Sequence, residues 1–390
     1  MKKKEIKEDS KEIRVDRLDD IPGLGPVSKK ALAERGITSF LAFWAAMNNP
    51  TKIVQVTGMK KEIAVKCLQF VRDELTKRKL IPEMQMGADV YYDQILKRLK
   101  LKLGCSNIDG IMRGGFEQAI VHELYGHEGS GKTQLLNSLC INASKRIMDG
   151  GLYDEDTEGE KKPYVLYIDT ENTFRPDRLQ IMLASRKMIA QIPKNLELKK
   201  IGGETLTVEE SVQLKEAEEL QLLEAKEWMS DRIIHWKCQN AAGLFALLEN
   251  ANALITSGFP IKLVIIDSIT KVFRGKYIGR GTVWSKSDDM NEIMVMLTSM
   301  AEVHKLVMVI TSQVYSSPDG KPWDEKNVGY GGHIIGHQVQ VRIKLEKPSG
   351  NMTAKKNKFM IVKAAHLPPD ETLYSITPKG IENFVEKRDE

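Results

Sequence analysis

Gly126-His127-Glu128-Gly129-Ser130-Gly131-Lys132-Thr133 fits the pattern G-x-x-x-x-G-K-[ST], and its chemistry is the capture of a nucleoside triphosphate. Glycine at 126, 129 and 131 lets backbone N–H groups turn into one concavity, and Gln134 continues the first helical turn behind them. Lys132 is expected on the β- and γ-phosphates of ATP, and the Thr133 hydroxyl on Mg²⁺. Leu263-Val-Ile-Ile266 ends in Asp267, a carboxylate at a strand end that can reach the same metal ion. Tyr167-Ile-Asp-Thr-Glu171 ends another strand, which makes Glu171 a candidate general base for a water attacking the γ-phosphate. Thr311-Ser-Gln313 ends a third, and the Gln313 amide is placed to sense that phosphate.

These residues need strands that stop together and a helix that starts at the loop. Ala119-Ile-Val-His-Glu-Leu-Tyr125, Tyr164-Val-Leu-Tyr-Ile168, Lys262-Leu-Val-Ile-Ile266 and Leu306-Val-Met-Val-Ile310 read as buried strands. Helices are expected over 132–149, 240–257 and 288–304. That alternation predicts an α/β core of residues 98–390 with a mainly parallel sheet. An acidic stretch interrupts it: between Glu204 and Glu227 eight residues are acidic and two basic. Val208, Val212, Leu220, Leu223 and Trp228 give that stretch an apolar stripe, so 195–232 is read as an acidic helical insertion on the outside of the core. Its charge disfavours DNA phosphates, its partner is unknown, and deleting 197–230 is expected to leave ATP binding intact.

The 390 residues are 42% hydrophobic and 28% charged, which excludes a mini-protein, a collagen-like chain and wholesale disorder. No apolar run reaches the length of a membrane span and the first residues lack an apolar signal core, so a cytoplasmic protein with no membrane partner is expected. Cys67, Cys105, Cys140 and Cys238 form no C-x-x-C pair, which argues against a zinc site or a disulfide framework. With 58 Lys plus Arg against 53 Asp plus Glu, the net charge of +5 permits an anionic partner.

Residues 1–17 read as a mobile charged tail, 18–80 as a small all-α domain and 81–97 as a linker. In the small domain Ser28 is expected to cap a helix that Gly36 ends, and a second unit runs from Ile53 to Leu80. Its turns, at Gly23, Gly25 and Gly58, offer backbone N–H groups to DNA phosphates. Two further segments combine cations with rings, as a bound nucleic-acid strand requires. One carries Arg274, Lys276, Tyr277 and Arg280; the other carries Tyr315 and Trp323.

Taken together these residues resemble the archaeal RadA recombinases of the RecA-like family. The resemblance rests on Gly129-Ser-Gly-Lys-Thr-Gln134, Tyr167-Ile-Asp-Thr-Glu-Asn-Thr-Phe-Arg-Pro-Asp-Arg178, Tyr277-Ile-Gly-Arg-Gly281, Gly331-Gly-His-Ile-Ile-Gly-His337, His366-Leu-Pro368 and Ile376-Thr-Pro-Lys-Gly-Ile-Glu-Asn383. It implies a RecA-like ATPase core, a helix-hairpin-helix module for duplex DNA at 18–80, and a homo-oligomeric filament or ring assembled by ATP on single-stranded DNA. It further implies homologous pairing and strand exchange, with Glu171 positioning water, Arg178 beside the adenine, and Gln313 with His337 linking the γ-phosphate to DNA loops at 273–288 and 314–333.

Three positions depart from that family. Where its linker carries an aromatic plug, this chain has Met84-Gln-Met-Gly-Ala88-Asp89. Ser312 stands where the family has Asn. Lys363 stands where the family has an Asp that helps hold a monovalent cation, and its ammonium is expected to replace that cation next to a neighbouring subunit's ATP. The altered plug also fits an accessory DNA-binding ATPase without efficient strand exchange, while the small N-terminal domain disfavours a ring helicase or clock-type ATPase.

Overall fold

A computed structural model describes residues 18–47, 49–78, 80–81, 98–154, 162–273, 283–314, 332–347 and 356–385, with backbone alone at 283–288 and 332–334. The tail, the Met84 to Asp89 segment, and Arg274, Lys276, Tyr277, Arg280, Tyr315 and Trp323 lie outside the described residues. The chain divides into two compact units, Met1–Ile81 and Pro82–Glu390.

The first unit packs four helices, α1 Pro26–Ala33, α2 Phe40–Ala46, α3 Pro50–Thr57 and α4 Lys61–Lys77, around Leu32, Phe40, Phe43, Ile53 and Val71. Side chains cap two of them: Ser39 Oγ accepts from Ala42 N, and Asn49 Oδ1 from Thr51 N. Ser28 is no cap. It lies buried inside α1, which starts earlier because Pro26 supplies the preset φ of a first turn after Gly25.

The second unit is an α/β core. Its nine-stranded sheet runs β11-β10-β9-β8-β3-β7-β6-β4-β5, and the stretch from β8 to β5 is parallel throughout. The central strands are β3 Ile120–Gly126, β7 Val307–Gln313, β6 Ile261–Asp267 and β4 Tyr164–Asp169, with β5 Ile233–Lys237 at one edge. Beyond β8 Val341–Glu346, three antiparallel strands extend the sheet: β9 Asn357–Ala364, β10 Asp370–Thr377 and β11 Gly380–Asn383. A two-stranded piece, β1 Lys100–Leu101 with β2 Phe116–Glu117, stands apart.

Register sets the site. Gly126 pairs with Gln313, and Asp169 with Asp267, so the carboxyl ends of four neighbouring strands finish together. Helices α5 Ser106–Ile111, α6 Lys132–Ala143, α7 Pro176–Ser185, α8 Lys194–Gly202, α9 Val208–Ser230, α10 Ala241–Thr256, α11 Val283–His304 and α12 Gly332–Gln338 complete the described core. Helix α6 is shorter than the expected 132–149. The chain turns back at Gly150, and the N–H groups of Leu152 and Tyr153 occupy the carbonyls of Ala143 and Lys145.

The expected acidic insertion is a helical hairpin, α8 and α9, whose acidic side chains partly satisfy its own lysines: Lys199 pairs with Glu210 and Lys200 with Glu218. Thr207 and Glu210 form a capping box at the start of α9. The hairpin is more than an outside addition. Ala225 and Trp228 are buried with Ile141, Leu179, Met182 and Leu183, so the second half of α9 closes one side of the core. No helix among the described residues is long and apolar enough to cross a membrane.

Candidate nucleotide-binding site

The phosphate loop joins β3 to α6. Gly129 and Gly131 take left-handed φ values of 76° and 92°, which a side-chain-bearing residue adopts only with strain. A Cβ at Gly126 would stand 2.3 Å from Leu345 O, so the loop's first turn runs against β8. Tyr374 on β10 donates to Ser130 O at 3.0 Å and fastens the loop from the far side. His127, Glu128 and Gly129 are exposed at its tip, whereas Ser130 and Lys132 are buried.

Lys132 Nζ donates to Gly126 O at 2.8 Å and His127 O at 2.9 Å, which holds the ammonium in the mouth of the loop. Burial pulls its pKa below the usual lysine value, and the carboxylates of Asp267, Glu171 and Glu128 pull back. Among the described residues Ser130 Oγ is buried without a hydrogen-bond partner. An orphan hydroxyl, left-handed glycines and a helix N-terminus make a cradle that fits a triphosphate.

Thr133 Oγ1 donates to Asp267 Oδ2 at 2.9 Å, so hydroxyl and carboxylate share one spot beside the loop. Tyr167 Oη donates to the same oxygen at 2.9 Å, and Thr311 Oγ1 to Oδ1 at 2.5 Å. Burial pushes the Asp267 carboxyl up, and these three hydroxyls oppose the shift. Magnesium keeps most of its ligands as water and phosphate oxygen, so one hydroxyl and one carboxylate fit it. Among the described residues no cluster of three or more His, Cys, Asp or Glu side chains offers an all-protein metal cage.

Glu171 stands on the loop after β4. Its Oε1 accepts from Ser268 Oγ at 2.5 Å, and both its oxygens accept from Gln313 Nε2 at 2.9 Å. The loop is shaped by Asp169, whose Oδ1 accepts from the N–H groups of Glu171, Asn172 and Thr173 and whose Oδ2 accepts from Phe174 N. Asp169, Tyr167, Thr311 and Ser268 were not singled out from the sequence. Asp169 ends its strand, Ser268 follows one, and Tyr167 and Thr311 stand two residues before the ends of theirs, so nearness to a parallel strand's carboxyl end is the signal that finds them.

Arg178 joins the site's rim. It donates to Gln134 Oε1 at 2.6 Å and to the carbonyl oxygens of Thr377 and Pro378, bridging α6 and the turn between β10 and β11. Lys363 goes elsewhere in its own chain. Its Nζ donates to Gly336 O at 2.6 Å, Val339 O at 3.2 Å and His337 O at 3.3 Å, so it caps the end of α12, where His337 is exposed.

In the first unit Gly58 ends α3 at φ 69° and its N–H donates to Val54 O, which removes that donor from any phosphate. The N–H groups of Gly23 and Gly25 make no hydrogen bond among the described residues.

The Rad51 family model matches residues 95–200 and 211–384. The matched segments break only between 200 and 211, a narrower gap than the expected insertion at 195–232. The chain is 30% identical over 373 residues to a DNA repair and recombination protein RadA of Methanococcus voltae, covering 94% of this chain and 99% of that one. It is 29% identical over 377 residues to the RadA of Aeropyrum pernix, covering 96% and 98% of the two chains. A third relative, from Cenarchaeum symbiosum, is 28% identical over 95% of this chain and 79% of its own.

Proposed function

The chain belongs to the Rad51 family, whose members are RecA-like DNA-dependent ATPases with a recombinase role, and from that premise we propose that its ATP hydrolysis drives homologous pairing and strand exchange on a filament of its own copies along single-stranded DNA. The observation that carries the reading is the meeting of Thr133 with Asp267 and of Glu171 with Gln313 at adjacent strand ends beside the phosphate loop.

In this reading the loop N–H groups and Lys132 receive the β- and γ-phosphates. Thr133 and Asp267 hold Mg²⁺, which supplies neutralising charge to the phosphate oxygens when bound. Glu171 takes a proton from the attacking water. Gln313 and Ser268 fix the carboxylate's orientation, and Asp169 fixes the loop beneath it. Arg178, together with Gln134, borders the base. Lys363, whose charge caps the end of α12 in its own chain, is read as a tethered cation that makes a bound monovalent ion unnecessary.

Duplex DNA binding by the four-helix unit, single-stranded DNA binding by the segments around Tyr277 and Trp323, and residence with the chromosome in the cytoplasm belong to the same proposal. The accessory reading is not favoured, because the relatives that match this chain over 94% and 96% of its length are DNA repair and recombination proteins RadA. ATP hydrolysis and joint-molecule formation, with and without single-stranded DNA, beside Glu171→Gln and Lys132→Ala, test it. DNA-stimulated turnover with pairing, lost in Glu171→Gln while nucleotide still binds, is the expected result. DNA binding without pairing would return the chain to the accessory class.

A further inference from the structure

The pleat of the central sheet separates two sets of side chains. Leu124, Val309 and Ile343 join the apolar cluster that includes Leu135, Leu136 and Leu139 of α6. Their alternates Glu123, Tyr125, Ser312 and Arg342 fall on the other face, where α11 packs against β3. Glu123 is 1% exposed, and both its oxygens are used: Oε1 accepts from Ser312 Oγ at 2.5 Å and Oε2 from Arg342 Nε at 2.6 Å.

The guanidinium then continues outward. Its Cζ lies 4.5 Å from the Tyr125 ring centroid, and a Cβ at Gly336 would come within 3.0 Å of Nη1, so the plane rests against the backbone of α12. Lys363 holds Gly336 O from the other side, and Gln338 Nε2 donates to Asn291 Oδ1 of α11 at 2.6 Å. Ser312, at the inner end of this series, is the residue before Gln313, whose amide grips Glu171.

A buried ion pair in a sheet is a poor way to gain stability, because desolvation offsets most of the attraction. What it does well is fix one arrangement of the groups at its two ends. We propose that Glu123 and Arg342 are positioning residues: they tie the end of β7 to α12, so that a change at Gln313 on nucleotide binding alters the helix that bears His337. The inference rests on the ATP reading of the site and is independent of the DNA reading.

Hydrogen–deuterium exchange on the full chain, with and without a non-hydrolysable ATP analogue and Mg²⁺, tests it. In the unaltered protein the nucleotide should slow exchange in peptides covering both 126–134 and 332–340. Ser312→Ala and Arg342→Lys should keep the response at 126–134 and lose at least fivefold of it at 332–340, whereas Ser312→Thr, which retains the hydroxyl, should restore it. If Arg342→Lys fails to fold, the Ser312 pair still decides the matter. Full response at 332–340 in Ser312→Ala overturns the proposal, as does an unaltered protein that responds at 126–134 alone. Response at neither segment overturns the ATP reading and this inference with it.

Discussion

The Gln313 amide nitrogen stands 2.9 Å from each carboxylate oxygen of Glu171. One donor shared by two acceptors pins the carboxylate's plane while leaving lone pairs for a water, as a general base requires. Glu171→Gln should lower ATP turnover by about 10²- to 10⁴-fold and leave nucleotide affinity within about twofold. Phosphate release and a fluorescent-nucleotide titration report the two quantities separately, and near-normal turnover would move the base elsewhere.

Asp267 accepts from the hydroxyls of Thr133, Tyr167, Thr311 and, at 3.5 Å, Thr173, and an amide in its place keeps a single acceptor oxygen. Asp267→Asn should raise the Mg²⁺ concentration for half-maximal turnover by about tenfold or more and cost about 1–3 kcal/mol of folding stability. A Mg²⁺ titration and a denaturant melt check the two effects.

Glu292 on α11 supplies a pH test. Burial, helped by Asp289 and Glu249, pushes its carboxyl up to about 7. A raised carboxyl pKa contributes stability that is full below the unfolded value, about 4.3, and is lost as pH rises through about 7. The melting temperature should therefore fall as pH rises from about 4.3 to about 7, and Glu292→Gln should flatten that fall. An unchanged slope in the variant would remove Glu292 as its source.

Much of the site was legible because phosphate chemistry needs particular residue types at particular strand ends. Lys132, Thr133, Asp267, Glu171 and Gln313 all come from motifs or from apolar runs that stop at a polar residue, and the structure brings them within hydrogen-bond reach of the same loop or of one another. The far side of the sheet was not legible by the same means. β8 reads Val-Arg-Ile-Lys-Leu-Glu, with every second residue buried, and this period-two pattern escapes a search for continuous apolar runs. Gly58 misled for a different reason: a left-handed glycine marks both a phosphate-gripping turn and an ordinary helix end, and here it is the helix end.

The α8–α9 hairpin was expected to be removable, and its packing reverses that expectation. Trp228 is 8% exposed and sits among Leu179, Met182 and Leu183. Trp228→Ala should cost about 3–5 kcal/mol, and deletion of 197–230 should give insoluble protein. Shortening the exposed link at 203–205 should be tolerated; a folded 197–230 deletion, seen by circular dichroism, would refute the core assignment.

Lys363 already satisfies three carbonyl oxygens with its own charge. ATP turnover should accordingly be nearly the same in potassium and in sodium, while Lys363→Ala should acquire a dependence on the cation. A several-fold potassium stimulation of the unaltered protein would sink the tethered-cation reading.

The bond from Tyr374 to Ser130 spans 244 positions of the chain, and Ile381 N reaches Ser138 Oγ of the following helix across 243. The phosphate loop and the helix after it are thus braced by residues translated 244 and 243 positions after the ones they hold. A ribosome-bound chain that has exposed the whole motif still lacks the brace, so competence for nucleotide should arrive only once Tyr374 and Ile381 have emerged. A frameshift or early stop before Tyr374 would then weaken the ATP site while leaving every residue of its signature motif intact.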